Sequence, residues 1–133
     1  MPRILISILF ASLAWPAWSA RAAEVPRFEP IPCPSFDLHE ENAECGFLIV
    51  PENRDDPEGR TLRLAVAILK SRSAEPQPDP VIYLHGGPGG SAISGASGWL
   101  EHPLREDRDF ILLDQRVTGY SEPELCSDLS QED

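Results

Sequence analysis

"VIYLHGGPGG" occupies residues 81–90, and its reading decides the fold. Four apolar or aromatic residues run into His85 and then into Gly86, Gly87, Pro88, Gly89 and Gly90. A short apolar run bounded by turn residues reads as a buried strand. In an open α/β sheet, chemistry gathers at the carboxyl ends of strands, and this loop sits at one such end. Glycine admits positive φ and lets a ligand approach the backbone amides. Pro88 has no N–H to donate, but it stiffens the turn. The candidate donors are therefore the amides of Gly86, Gly87, Gly89 and Gly90. Fixed N–H groups at a strand end suit an oxyanion or a phosphate. A P-loop requires G-x-x-x-x-G-K-[ST], yet Lys70, the one lysine, precedes the strand. The dinucleotide pattern G-x-G-x-x-G has no helix of good propensity behind it. A purely structural turn is the bland alternative. An oxyanion cradle is the reading that gives the loop chemistry.

Working outward, "DFILLDQ" (109–115) is a second apolar strand. Both strands are apolar on both faces, as parallel strands covered by helices are. The segment between them, 91–107, is a weak helix candidate interrupted by Gly95, Gly98 and Pro103. Together these describe a βαβ unit. Upstream, "CGFLIVPE" (45–52) and "RTLRLAVAIL" (60–69) read as two strands of a hairpin. The turn between them is "NRDDPEG" (53–59), rich in Asn, Asp, Pro and Gly. Alternation in the second strand puts Leu62, Leu64, Val66 and Ile68 on one face and Arg63 on the other. Residues 70–80 are a polar, Pro-rich connection, and residues 23–44 read as an extended Pro-rich arm. The expected fold class is α/β, a β-hairpin feeding a parallel sheet.

The chain has 133 residues, enough for one small domain. Residues 1–22 read as a secretory signal peptide: Arg3, an apolar run over 4–15, then Ala20-Arg21-Ala22 as an A-x-A site. The apolar run is shorter than the ~20 residues a spanning helix needs. Cleavage there removes Arg3 and Arg21 and no acid, so 11 basic residues become 9 against 22 acidic, and the net charge moves from −11 to −13. Such a surface opposes nucleic acid and anionic membranes. The expected location is periplasmic or secreted, with no lasting membrane anchor. Cys33 and Cys45, in "CPSFDLHEENAEC", are the expected disulfide, and Cys126 is left over. No Cys or His pair has zinc-ligand spacing, so no metal is expected. Nothing implies an organic cofactor either.

"YLHGGPGGS" followed by "FILLDQRVTGYSEP" resembles the proline iminopeptidase and tripeptidyl aminopeptidase branch of the α/β-hydrolases. That family carries H-G-G-P-G at the end of its third strand and D-Q-R-G-x-G-x-S after its fourth. "ECGFLIVPENRDDPEGRTLRLAVAIL" resembles its exported members as well. The resemblance covers about residues 33–126. It implies that residues 45–133 are the amino-terminal portion of a hydrolase sheet. It also implies that the Gly87 amide, beside Gly86, is an oxyanion donor. His85, Pro88, Gly89, Gly90, Asp114, Gln115, Arg116 and Gly119 would support that loop. One position departs: the family's glycine after D-Q-R is Val117, which is strained if the turn needs positive φ there.

Acyl transfer on this fold needs a nucleophile elbow, an acid and a histidine, in that chain order. Ser97 in "GASGW" and Ser121 in "GYSEP" both lack the G-x-S-x-G pattern and its strand–turn–helix context. His39 and His102 have no partner pattern, His85 reads as a structural hydrogen-bonding residue, and Asp109 and Asp114 have no downstream histidine to orient. The expected function is therefore the oxyanion-bearing amino-terminal part of an exported serine hydrolase, an aminopeptidase or an esterase. Alone it would be inactive, and its substrate in the whole enzyme would be a peptide or a small ester. The alternative is a non-catalytic binding or assembly module that uses the open sheet edge. In the family a fifth strand lies beside the third, so residues 81–85 form an exposed apolar edge without it, and self-association through that edge is expected.

Overall fold

The computed structural model describes residues 25–124; the signal-peptide reading of 1–22 and the leftover Cys126 lie outside them. Five strands form one mixed sheet: β1 (Arg27–Ile31), β2 (Ala43–Pro51), β3 (Thr61–Leu69), β4 (Val81–Leu84) and β5 (Phe110–Leu113). Their spatial order is β1-β2-β3-β5-β4. The pairs β1–β2, β2–β3 and β3–β5 are antiparallel, whereas β4 lies parallel to β5 and forms an edge. The expected hairpin is β2–β3, with Phe47 opposite Ala65 and Cys45 opposite Ala67.

The expected arm is instead the outermost strand of the sheet. Residues 27–31 pair with β2, and a 3₁₀ helix, Cys33–Phe36, follows and buries Phe36. Prolines at 26 and 30 concealed this strand in the sequence. They are tolerated because an edge strand does not need every N–H. The Cys33–Cys45 disulfide, with Cα atoms 5.0 Å apart, ties this 3₁₀ helix to β2. Such a bond fits an oxidising compartment. Among the described residues no helix is long and apolar enough to cross a membrane.

The expected crossover helix over 91–107 is replaced by two 3₁₀ helices, Ala96–Trp99 and Pro103–Glu106. Gly95, Gly98 and Pro103 deny the segment the propensity that a longer helix needs. Arg105 holds the crossover down instead. It is buried, and its Nε and Nη2 donate to the Lys70 carbonyl oxygen at 3.1 and 2.9 Å. Trp99 lies over the sheet, stacked on Phe110 at 4.9 Å and tilted against Tyr83 at 4.4 Å.

The face of β3 that builds the main core is the one that also carries Arg63. The main cluster uses Ala65, Ala67 and Leu69, with Phe47, Ile49, Phe110, Leu112 and Ile93. Leu62 and Val66 are buried outside that cluster, and Leu64 and Ile68 are half-buried. β3 is apolar on both faces, so alternation could not choose between them. The small Ala65 and Ala67 let Ala92, Ile93 and Phe36 close onto the sheet. Removing the disulfide by Cys33→Ala and Cys45→Ala together should lower the unfolding free energy by about 2–4 kcal/mol. Urea denaturation checks this, and an unchanged midpoint at unchanged slope would contradict the role given to the bridge.

Candidate functional site

β4 ends at Leu84, and the chain turns out through His85 at the carboxyl end of the strand. The side-chain Nε2 of Gln115 donates to the His85 carbonyl oxygen at 3.0 Å, fixing the start of the loop from the neighbouring strand. The imidazole Nδ1 of His85 lies 2.8 Å from the Gly86 carbonyl oxygen, a bond made by the tautomer with hydrogen on Nδ1. The Gly90 amide donates to the same oxygen at 3.1 Å, closing the loop. A Cβ at position 90 would collide with the His85 ring, so glycine is what lets the ring lie there. Gly87 and Gly89 take φ of 141° and 84°, values that L side chains rarely adopt.

Of the four expected donors, Gly90 is therefore removed, because its N–H is already spent inside the loop. Among the described residues, the amides of Gly86, Gly87 and Gly89 have no acceptor. His85, Gly86, Gly87, Pro88 and Gly89 are all exposed. Three uncommitted N–H groups thus stand at a strand's carboxyl end, on a turn whose conformation is fixed from both sides.

Asp114, just past β5, does most of that fixing. It is fully buried. Its Oδ1 accepts from the Ala92 amide at 2.6 Å, the Ile93 amide at 3.2 Å and the Ser91 hydroxyl at 3.0 Å. Its Oδ2 accepts from the Tyr120 amide at 3.0 Å and from the same hydroxyl at 2.9 Å. One carboxylate thereby joins the glycine loop to the turn that follows β5. The contact leaves no room at Gly119, where φ is 51° and a Cβ would strike the Asp114 carboxylate and Ser91. Ser91, Ala92 and Tyr120 were not singled out in the sequence. Two of the three act through backbone amides, which carry no sequence signal.

Val117 has φ of 58°, so the position where the resembling family has glycine does sit in the left-handed region. A β-branched residue there is strained. Arg116, expected as loop support, goes elsewhere: its Nη1 donates to the Glu52 carbonyl oxygen at 3.0 Å, at the end of the β2–β3 turn. The long side chain reaches back across the sheet end rather than forward to the glycines. Pro88 sits exposed at the loop tip.

The remaining polar candidates have structural partners. Ser121 is buried; its hydroxyl donates to the Asp114 carbonyl oxygen and accepts from the Ala65 amide, each at 2.8 Å. Asp109 accepts from the Ser71 amide at 2.9 Å, and Nδ1 of His102 accepts from the Leu104 amide at 3.3 Å. Ser97 and His39 share the rim of an open cleft of about 440 Å³ floored by Phe36, Ile93 and Leu100. At that cleft, burial and a hydrogen bond to Asp37 hold the Tyr120 phenol above its ordinary range. Among the described residues, no three His, Cys, Asp or Glu side chains group as a metal site would require.

No family model matches the chain. It is 32% identical over 93 residues to a tripeptidyl aminopeptidase of Streptomyces coelicolor, covering 64% of this chain and 17% of that protein. It is 39% identical over 87 residues to a proline iminopeptidase of Aeromonas sobria, covering 62% of this chain and 20% of that protein. The matches are thus to peptidases, and the chain spans no more than about a fifth of the length of these curated relatives.

Two substitutions separate the clamp from the strain. Asp114→Asn turns one acceptor atom into a donor facing backbone N–H groups, and should cost about 2–3 kcal/mol. Val117→Gly should instead stabilise by about 0.5–1 kcal/mol, since relief of left-handed strain exceeds the entropy glycine adds. Thermal melts of both variants test this, and the same sign for both would contradict the assignment.

Proposed function

We propose that this chain supplies the oxyanion-stabilising loop of an exported serine peptidase of the aminopeptidase kind. The carrying observation is the set of Gly86, Gly87 and Gly89 amides, without an acceptor among the described residues and fixed at the carboxyl end of β4 by Gln115 and Asp114. Similarity to aminopeptidases supports the reaction class. In that reaction a serine oxygen adds to the scissile carbonyl carbon, and the carbonyl oxygen takes up the negative charge. The Gly87 amide then donates to that oxygen, together with the amide following the nucleophile. A histidine passes the serine's proton to the leaving amine. One such donor contributes about 3 kcal/mol, or two to three powers of ten in rate.

Ser97 and Ser121 do not fill the serine's place, so the serine, its histidine and its acid belong to residues other than those described. The loop is open to water in the described residues. A donor facing water stabilises an oxyanion far less than one in a closed site. On both grounds the described residues do not make a working active site by themselves. Peptide, amide and ester substrates fit the same chemistry. The disulfide and the amino-terminal pattern support export.

Reading the gene beyond the codon for Asp133, in all frames, tests the assignment. The proposal expects G-x-S-x-G within about a hundred residues, then Asp, then His; no such frame would contradict it. In a product containing that serine, Gly87→Ala should lower kcat/KM on an aminoacyl or tripeptidyl p-nitroanilide about 100-fold or more, because φ of 141° displaces the amide. Gly98→Ala, where a Cβ meets open space, should leave it unchanged.

A further inference from the structure

The loop closed by the Cys33–Cys45 bridge reaches beyond β2. Within it Phe36 is buried, and Asp37 follows with φ of 54°, a left-handed conformation that aspartate accepts more readily than most residues. Both meet Tyr120, which lies 83 residues beyond Asp37. The ring centroids of Phe36 and Tyr120 are 5.0 Å apart, and the Tyr120 hydroxyl donates to Asp37 Oδ2 at 3.1 Å. The backbone of Tyr120 has a different duty: its amide donates to Asp114 Oδ2 at 3.0 Å. We propose that Tyr120 is a positioning residue for the glycine loop. Its side chain, gripped by the disulfide-closed loop, holds its amide on Asp114, and Asp114 in turn holds the residues that follow Gly90. The inference rests on the oxyanion reading for its catalytic consequence alone.

Each link in this sequence of contacts is short. The bridge ties the start of the 3₁₀ helix to β2, and Phe36 packs edge-on against Phe47 of β2 at 5.5 Å, so Phe36 and Asp37 are fixed relative to the sheet. The hydroxyl bond ends on a carboxylate and is charge-assisted. From Asp114 the constraint passes to the Ser91 hydroxyl and the Ala92 amide. Gly90, the residue before Ser91, closes the glycine loop onto the Gly86 carbonyl oxygen. Two neighbouring contacts do not replace this route. Glu40, in the disulfide loop, lies 3.7 Å from Nη2 of Arg105, but Arg105 donates to the Lys70 and Leu100 carbonyl oxygens and not to Asp114. Ser121 binds the Asp114 carbonyl oxygen and the Ala65 amide, and leaves the Asp114 carboxylate untouched.

The turn has a reason to need this hold. It runs from Asp114 to Tyr120 and contains Val117 in the left-handed region, where a β-branched residue is strained. Relaxing Val117 would shift the chain on either side of it, and Tyr120 is the residue by which the turn grips the carboxylate. A ring packed on Phe36 and a hydroxyl bonded to Asp37 resist that shift at the far end of the turn.

Amide hydrogen exchange on the full chain separates this coupling from general stability. The probes are the Gly90, Ala92 and Ile93 amides, read as a ratio to amides of the β2–β3 ladder. Tyr120→Phe keeps the ring and loses the hydroxyl, and should raise that ratio about tenfold. Asp37→Gly suits the left-handed backbone but has no acceptor, and should do the same. Asp37→Asn keeps an acceptor oxygen and should leave the ratio unchanged. Cys33→Ala with Cys45→Ala acts through the same link, so adding Tyr120→Phe to it should raise the ratio by less than the product of the separate effects. In a product containing the nucleophilic serine, Tyr120→Phe should lower kcat about tenfold and leave KM unchanged, because the loop acts on the transition state. A ratio unmoved by Tyr120→Phe and Asp37→Gly overturns the proposal, even if the chain without its bridge is too unstable to measure. The oxyanion reading fails separately, by full activity of Gly87→Ala.

Discussion

The arrangement at the sheet end depends on one buried carboxylate. Asp114 has no cation beside it among its contacts; the amides of Ala92, Ile93 and Tyr120 and the hydroxyl of Ser91 hold its charge. A carboxylate taken out of water without such donors is costly by several kcal/mol. The donors come from two loops far apart in sequence, so neither loop can move without uncovering the charge. The glycine loop is long, exposed and poor in side chains, and on those grounds would be mobile. It is anchored instead at both ends, by Gln115 on His85 and by Asp114 on Ser91 and Ala92.

That clamp explains why Val117 is tolerated. Left-handed backbone costs a residue with a Cβ about 1–2 kcal/mol, while breaking the charge-assisted hydrogen bonds to Asp114 would cost about 1.5–3 kcal/mol each. The turn keeps its shape because the second quantity exceeds the first. Gly119 cannot be replaced in the same way, since there a side chain meets the Asp114 carboxylate itself. Two positions with similar φ, 58° and 51°, thus differ in what they can accept.

Four strands and the glycine loop were legible in the sequence, because apolar runs bounded by turn residues leave few alternatives. The Cys33–Cys45 bridge was legible too, from spacing and the signal-peptide reading of the amino terminus. β1 was not, because proline, which marks loops elsewhere, is allowed on an edge. The core face of β3 was not, because both of its faces are apolar, and the choice was made by what packs onto Ala65 and Ala67. Gly90 closes the loop rather than offering a free donor, and Arg116 reaches Glu52 rather than the glycines, for a common reason. Whether a donor is free, or where a long side chain reaches, depends on partners that only folding brings near. The segment over 91–107 shows the converse: its helix breakers were visible, and they prevailed over the expectation of a crossover helix.

The Gly86, Gly87 and Gly89 amides have no acceptor among the described residues, on a loop held at both ends. Nitrogen-15 relaxation of the loop, together with amide hydrogen exchange, addresses both halves. The account predicts order parameters near those of the sheet, about 0.85, with rapid exchange at Gly86, Gly87 and Gly89 and protection at Gly90. Order parameters below about 0.6 across these residues would contradict it: the loop would then be a flexible connection, and the glycines would have no preorganised site to form.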